Sequence, residues 1–212
     1  MGAGEAILLA LHQPQFDSIP PISGILLEAP FISLHPDSRP NAVTYYAGKL
    51  AAKVLPKYQL LQQLEPKYLS RDPQVCQEWV DDKLNHDTGT LEGLAQMLQR
   101  AADLTAFAQG QTVKNVGAKT TIGVPVDKPE SVPVWIGHGT EDKVTCPKTS
   151  RQLFEKLDVK DKTYKSYEAA YHKLHVEPDG VAEEFAKDVA DWILSRIGEN
   201  NNIHDDGTKP KL

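Results

Sequence analysis

A chain of 212 residues is within the range of one domain, and its 40% hydrophobic and 25% charged content is that of a folded globular protein, not a disordered one. A net charge of −6 argues against a general nucleic-acid binder, which needs a basic face, and leaves a neutral, fatty substrate open. Two cysteines, Cys76 and Cys146, are too few for a disulfide framework and point to a reducing compartment.

The opening MGAGEAILLAL carries Glu5 where a secretory signal wants positive charge, and its apolar run at residues 7–11 is short. Ala6 stands where a myristoylation pattern needs Ser or Thr. No apolar stretch approaches the roughly 20 residues of a transmembrane helix. The expectation is a cytoplasmic protein whose surface is free to touch a membrane or lipid droplet.

In chain order, residues 1–12 read as a helix containing Gly2 and Gly4. Residues 22–29 (ISGILLEA) read as a strand buried on both faces, as in a parallel sheet. A different kind of segment follows at about 34–126, without strand-like alternation and with several helices. Asn41 caps a helix that Pro56 ends, Asp72-Pro73 opens one over 74–84, and Thr90 caps one carrying Leu91, Leu94, Ala95, Leu98 and Ala101 on one side. A helical insert between two sheet strands has the form of a cap, and its stretch 109–130 reads as a long loop. Sheet segments then return: VPVWIG at 132–137 as a buried strand, a helix at 147–157 with Pro147 in its first turn, and TYKSY at 163–167 as a strand nearer an edge. A final helix at 181–197 shows the stripe Phe185, Val189, Trp192, Ile193, Ile197. Residues 198–212 lack a core-forming pattern and read as a disordered tail. The fold class is α/β: residues 1–197 form a parallel sheet flanked by helices, with a helical cap insertion.

The chemistry concentrates in two segments. VPVWIGHGTEDKVTCP runs from a buried strand through Gly137 and Gly139 to Asp142, at the strand end where functional groups of open α/β sheets gather. Thirty residues on, YEAAYHKLHVEP leads from a strand to His172. A serine-hydrolase triad needs a buried acid that orients an imidazole and an imidazole that takes the nucleophile's proton, and acid-then-histidine is the order of α/β-hydrolases. Each residue alone also fits a plainer role: Asp142 in a solvated turn, His172 as a surface-loop histidine. Their pairing after consecutive strands favours the triad. His175 is the rival base. His172, His175 and Glu177 could be mistaken for a metal site, but no further ligand cluster accompanies them, so no metal and no cofactor is expected. His138, inside the glycine turn, reads as a structural group behind the acid. Cys146 has no base of its own.

GHGTEDKV and YEAAYHKLHVEP resemble the monoacylglycerol lipases of the α/β-hydrolase family. SRDPQVCQEWVDDKLNHDTGTLEGLAQML is similar to that family's cap, and ISGILLEAPFISLHP to the strand leading into it. The resemblance runs from Met1 to about Ile197, with departures at Lys83, where a proline is usual, and in the longer loop 109–130. It implies hydrolysis of a lipid ester through an acyl-serine intermediate, with His172 as base then acid and Asp142 holding its tautomer. The cap residues Tyr45, Tyr46, Leu50, Val54, Leu55 and Trp79 would wall an acyl channel and rest on lipid. The family's nucleophile sits in a Gly-His-Ser-Met-Gly-Gly elbow. Met1 aligns with the residue after that serine, so its backbone N–H would be one oxyanion donor. No Gly-x-Ser-x-Gly occurs in the sequence. The expectation is therefore an enzyme whose chain is cut just after the nucleophile and is inactive as written. The alternatives are a non-catalytic short product acting as a binding module, or a related esterase, lysophospholipase or peptidase.

Overall fold

A computed structural model describes residues 2–12, 22–111, 113 and 132–200. Its centre is a three-stranded parallel sheet of β1 (Ile25–Glu28), β4 (Val134–Gly139) and β5 (Lys162–Tyr167), in the order β1-β4-β5. Ile25 pairs with Val134, and Val134 with Lys162, so the three strands end side by side near Glu28, Gly139 and Tyr167.

The period-2 alternation of a strand sends successive side chains to opposite faces. In β4, Val134 and Ile136 join a core with Ile7, Ile25, Leu27, Leu104, Phe107 and Leu153, contributed by α1 (Gly2–His12), β1, α4 (Leu91–Ala108) and α5 (Pro147–Lys156). Trp135 turns the other way, to Tyr167, Leu174 and Trp192, where α6 (Val181–Asn200) covers the sheet. All six residues of β4 are buried, in agreement with its reading as a strand covered on both sides. β1 departs from that reading: Leu26 is 37% exposed and Glu28 half-buried. Among the described residues it has one strand neighbour, and the α6 cluster lies over β4 and β5 instead.

Helix α1 lies tight against the segment after β1. A Cβ on Gly4 would sit 2.5 Å from the Phe31 carbonyl oxygen, so this position needs a residue without one.

The insert forms α2 (Ala42–Val54), α3 (Pro73–Asp81) and the first half of α4. The three N-caps act as their residue types suggest: Asn41 accepts from the Thr44 N–H, Asp72 from Gln74 and Thr90 from Gly93. Two features differ from the sequence reading. Gln59–Leu61 and Thr88–Thr90 pair as an antiparallel ribbon, β2 and β3, so the insert is not wholly helical. And α4 belongs to both layers, because Leu91 and Leu94 face the insert while Leu104 and Phe107 enter the main core. α6 runs on to Asn200, three residues into the expected tail, and 201–212 lie outside the described residues, as does most of the loop 109–130.

Candidate active site

The site is assembled at the C-terminal ends of β4 and β5. Asp142 sits in the tight turn after β4, 1% exposed. Its Oδ1 accepts the backbone N–H groups of Val144 (2.7 Å) and Thr145 (3.0 Å). Its Oδ2 faces three side chains: His172 Nδ1 at 2.8 Å, the Thr145 hydroxyl at 2.8 Å and His138 Nε2 at 3.0 Å. Burial alone would push this carboxyl up. The hydrogen bonds from His138 and His172 outweigh it and hold the acid well below the usual carboxylate range. The group is thus an anion in a buried pocket of donors.

His172 lies in the loop after β5, its side chain 23% exposed. Its loop can reach Asp142 because it crosses the end of β4. A Cβ on Gly139 would collide with the carbonyl oxygens of Ala170 and Tyr171, and the Glu141 N–H donates to Ala170 O at 3.0 Å. Ala169 N–H donates to Thr140 Oγ1 at 2.9 Å, which pins the approach to His172. Ala29 (φ 41°) and Ala169 (φ 54°) adopt left-handed backbone here, at a cost of about 1–3 kcal/mol each. Strain and packing both gather at this strand end. With Nδ1 donated to Asp142, His172 Nε2 makes no hydrogen bond to protein among the described residues. An imidazole so held can accept a proton at Nε2 while its developing charge faces a carboxylate.

The other sequence candidates separate. His175 turns away to Glu28, with Nδ1 2.7 Å from Glu28 Oε1. Glu177 is enclosed against Arg71. His172, His175 and Glu177 therefore face three different partners, and among the described residues no cluster could hold a metal ion. His138 is bonded directly to Asp142, with its Nδ1 buried and unpartnered, which places the proton on Nε2. Thr145 and Arg71 were not singled out from the sequence. Thr145 is legible only as a residue three past the acid, and Arg71 only as part of the cap motif. Met1 lies outside the described residues.

Within the cap lies a cavity of about 540 Å³ whose apolar wall includes Leu34, Tyr45, Leu60, Leu94 and Leu98 and whose polar wall includes Asp37, Arg39, Lys49 and Glu65. Its wall at residues 34–39 is tied to the loop after Asp142: His35 N–H donates to Val144 O, and Ser38 Oγ to Lys143 O. Of the six residues expected to wall an acyl channel, only Tyr45 lines this cavity, and Leu55 is exposed. Tyr46, Leu50 and Val54 are spaced i, i+4, i+8 on the outer face of α2 and are exposed, while Tyr45, Gly48 and Lys49 form the inner face. Trp79 lies instead with its ring 5.8 Å from Lys173 Nζ.

Residues 1–179 match the profile of the Hydrolase_4 family, described as Serine aminopeptidase, S33. The chain belongs to this family of α/β-hydrolases. Among its relatives is the protein named "Putative monoglyceride lipase" of Schizosaccharomyces pombe, 33% identical over 182 residues, which cover 86% of this chain and 43% of that protein. Monoglyceride lipase of Mus musculus is 27% identical over 197 residues, 93% of this chain and 57% of that one. The chain thus spans about half the length of the curated relatives it matches. Among solved structures, monoacylglycerol lipase of Paleococcus ferrophilus superposes with a TM-score of 0.70 at 25% identity, over 92% of this chain and 65% of that one. A soluble variant of monoglyceride lipase from Saccharomyces cerevisiae gives 0.72 at 23% identity, over 92% and 62%, and shares the fold.

Proposed function

We propose that the protein carrying this chain is a monoacylglycerol-type lipid esterase working through an acyl-serine intermediate. The observation that carries the reading is the Asp142–His172 pair at adjacent strand ends, with Nε2 unengaged among the described residues, in a chain whose cap encloses a cavity with a partly apolar wall. His172 would take the nucleophile's proton and return it to the leaving alcohol. Asp142 would fix the tautomer and stabilise the imidazolium. The acyl chain would lie along Tyr45, Leu60, Leu94 and Leu98, and the outer stripe Tyr46, Leu50, Val54 would rest on a lipid surface. No described helix is long and apolar enough to cross a membrane. The nucleophilic serine would come from sequence outside these residues, because no Gly-x-Ser-x-Gly occurs among them. The chain alone would then be inactive.

The test is active-site labelling. In the full-length protein a fluorophosphonate should modify one serine outside these 212 residues, and His172→Ala should abolish the labelling. Labelling of a serine within the chain, or labelling that survives His172→Ala, would refute the mechanism.

A further inference from the structure

The loop that carries His172 is held from two sides. Before the histidine, Ala169 and Ala170 are bonded to the end of β4 through Thr140 and Glu141. After it, residues 173–179 are bonded to a segment of the cap, 69–71, that leads directly into α3. Lys173 N–H, the amide next to His172, donates to Leu69 O at 2.8 Å. Ser70 Oγ donates to Val176 O at 3.3 Å. Arg71 then grips the carboxylate of Glu177 on both oxygens, through its backbone N–H to Oε1 (3.1 Å) and Nε to Oε2 (2.8 Å). Its two remaining nitrogens reach Asp179 Oδ2 (3.1 Å) and Pro178 O (3.3 Å). The Glu177 side chain is 0% exposed, so its charge depends on Arg71 in a place where water cannot substitute. Asp179 is itself held left-handed, at φ 61°.

We infer that Arg71 and Glu177 form a latch through which the cap sets the position of His172, and that Arg71 is a positioning residue for the reaction. This rests on the proposed esterase reading. On the cap side, Asp72 caps α3 and Cys76 Sγ bonds Ser70 O, so the segment moves with that helix. On the site side, only one peptide bond separates the Lys173 amide from His172. A forked, planar guanidinium fixes both distance and direction, which a flexible ammonium would not. The base must meet its proton within a hydrogen-bond length, and a displacement of about 1 Å costs about 100-fold in rate. Closure of the cap over a substrate and alignment of the base are then one event.

The experiment compares Glu177→Ala and Arg71→Met with wild type in the full-length protein, by amide hydrogen exchange and by kcat and KM on a long-chain monoacylglycerol. The Lys173 amide should exchange faster in both variants while the Val144 and Thr145 amides, held by Asp142, keep their protection. kcat should fall about 100-fold with KM near wild type. Lys162→Met, which removes a contact to the last carbonyls of α5 far from the loop, should lower the melting temperature and leave kcat unchanged. Where Glu177→Ala does not fold, Glu177→Gln keeps the shape and is read by the same two signals. Unchanged Lys173 exchange, or a rise in KM with kcat intact, would overturn the latch. If wild type hydrolyses no monoacylglycerol, the esterase reading fails, and the Lys173 exchange still decides whether the cap holds the loop.

Discussion

All six residues of β4 are buried, whereas α2 and α3 of the cap bury none of theirs. At the strand ends both carboxylate oxygens of Asp142 are matched by donors, and the glycine at 139 lets two chain segments meet backbone to backbone. In the cap, the apolar stripe of α2 faces outward with Tyr46 69% exposed, and the helix packs mainly against α4. Asp142 and His172 sit in the loops that follow the buried strand β4 and its neighbour β5, and hydrogen bonds hold both loops in place. The outer face of α2 is apolar and few of its side chains are packed, so local opening is expected there first. Arg71 and Glu177 join the two regions.

The sharpest way to break the ordered region is at the acid. Asp142→Asn should lower kcat about 10⁴-fold, measured with a long-chain monoacylglycerol. The same residue should contribute to acid stability. Its folded-state pKa is depressed, so its contribution is fully present above the unfolded value of about 3.9 and is lost as pH falls from there through the lower folded value. Urea unfolding followed down that window should show the loss in wild type and a flatter profile in Asp142→Asn. An equally steep profile in the variant would assign the acid sensitivity elsewhere.

A smaller effect contrasts packing in the two regions. Ile136→Ala empties a fully buried site in β4 and should cost about 2–5 kcal/mol in chemical denaturation. Leu50→Ala on the outer face of α2 should stay within about 0.5 kcal/mol, yet weaken binding to phospholipid vesicles in sedimentation. Equal costs at the two positions would erase the distinction between core and cap.

Much of this contrast was legible before any coordinates. The α/β class, the three capped helices of the insert and the Asp142–His172 pair follow from strand runs, cap residues and the order of acid and histidine. The β2–β3 ribbon was not legible, because three-residue strands such as Gln59–Leu61 are too short to show alternation. The stripe Tyr46, Leu50, Val54 was readable as one helix face, but periodicity does not say whether an apolar face meets core or solvent. Arg71 and Glu177 lie 106 positions apart, and nothing local to either segment announces the other. The direct bond from His138 to Asp142 depends on how the glycine turn folds back, which residue spacing alone leaves open.

The most direct test of the central claim compares the two histidines of the loop in the full-length protein. His172→Ala should reduce turnover of a long-chain monoacylglycerol by about 10⁶-fold while the protein still melts cooperatively. His175→Ala, which removes only a contact to Glu28, should leave turnover near wild type. Comparable loss in His175→Ala with His172→Ala still active would contradict the assignment of His172 as the base.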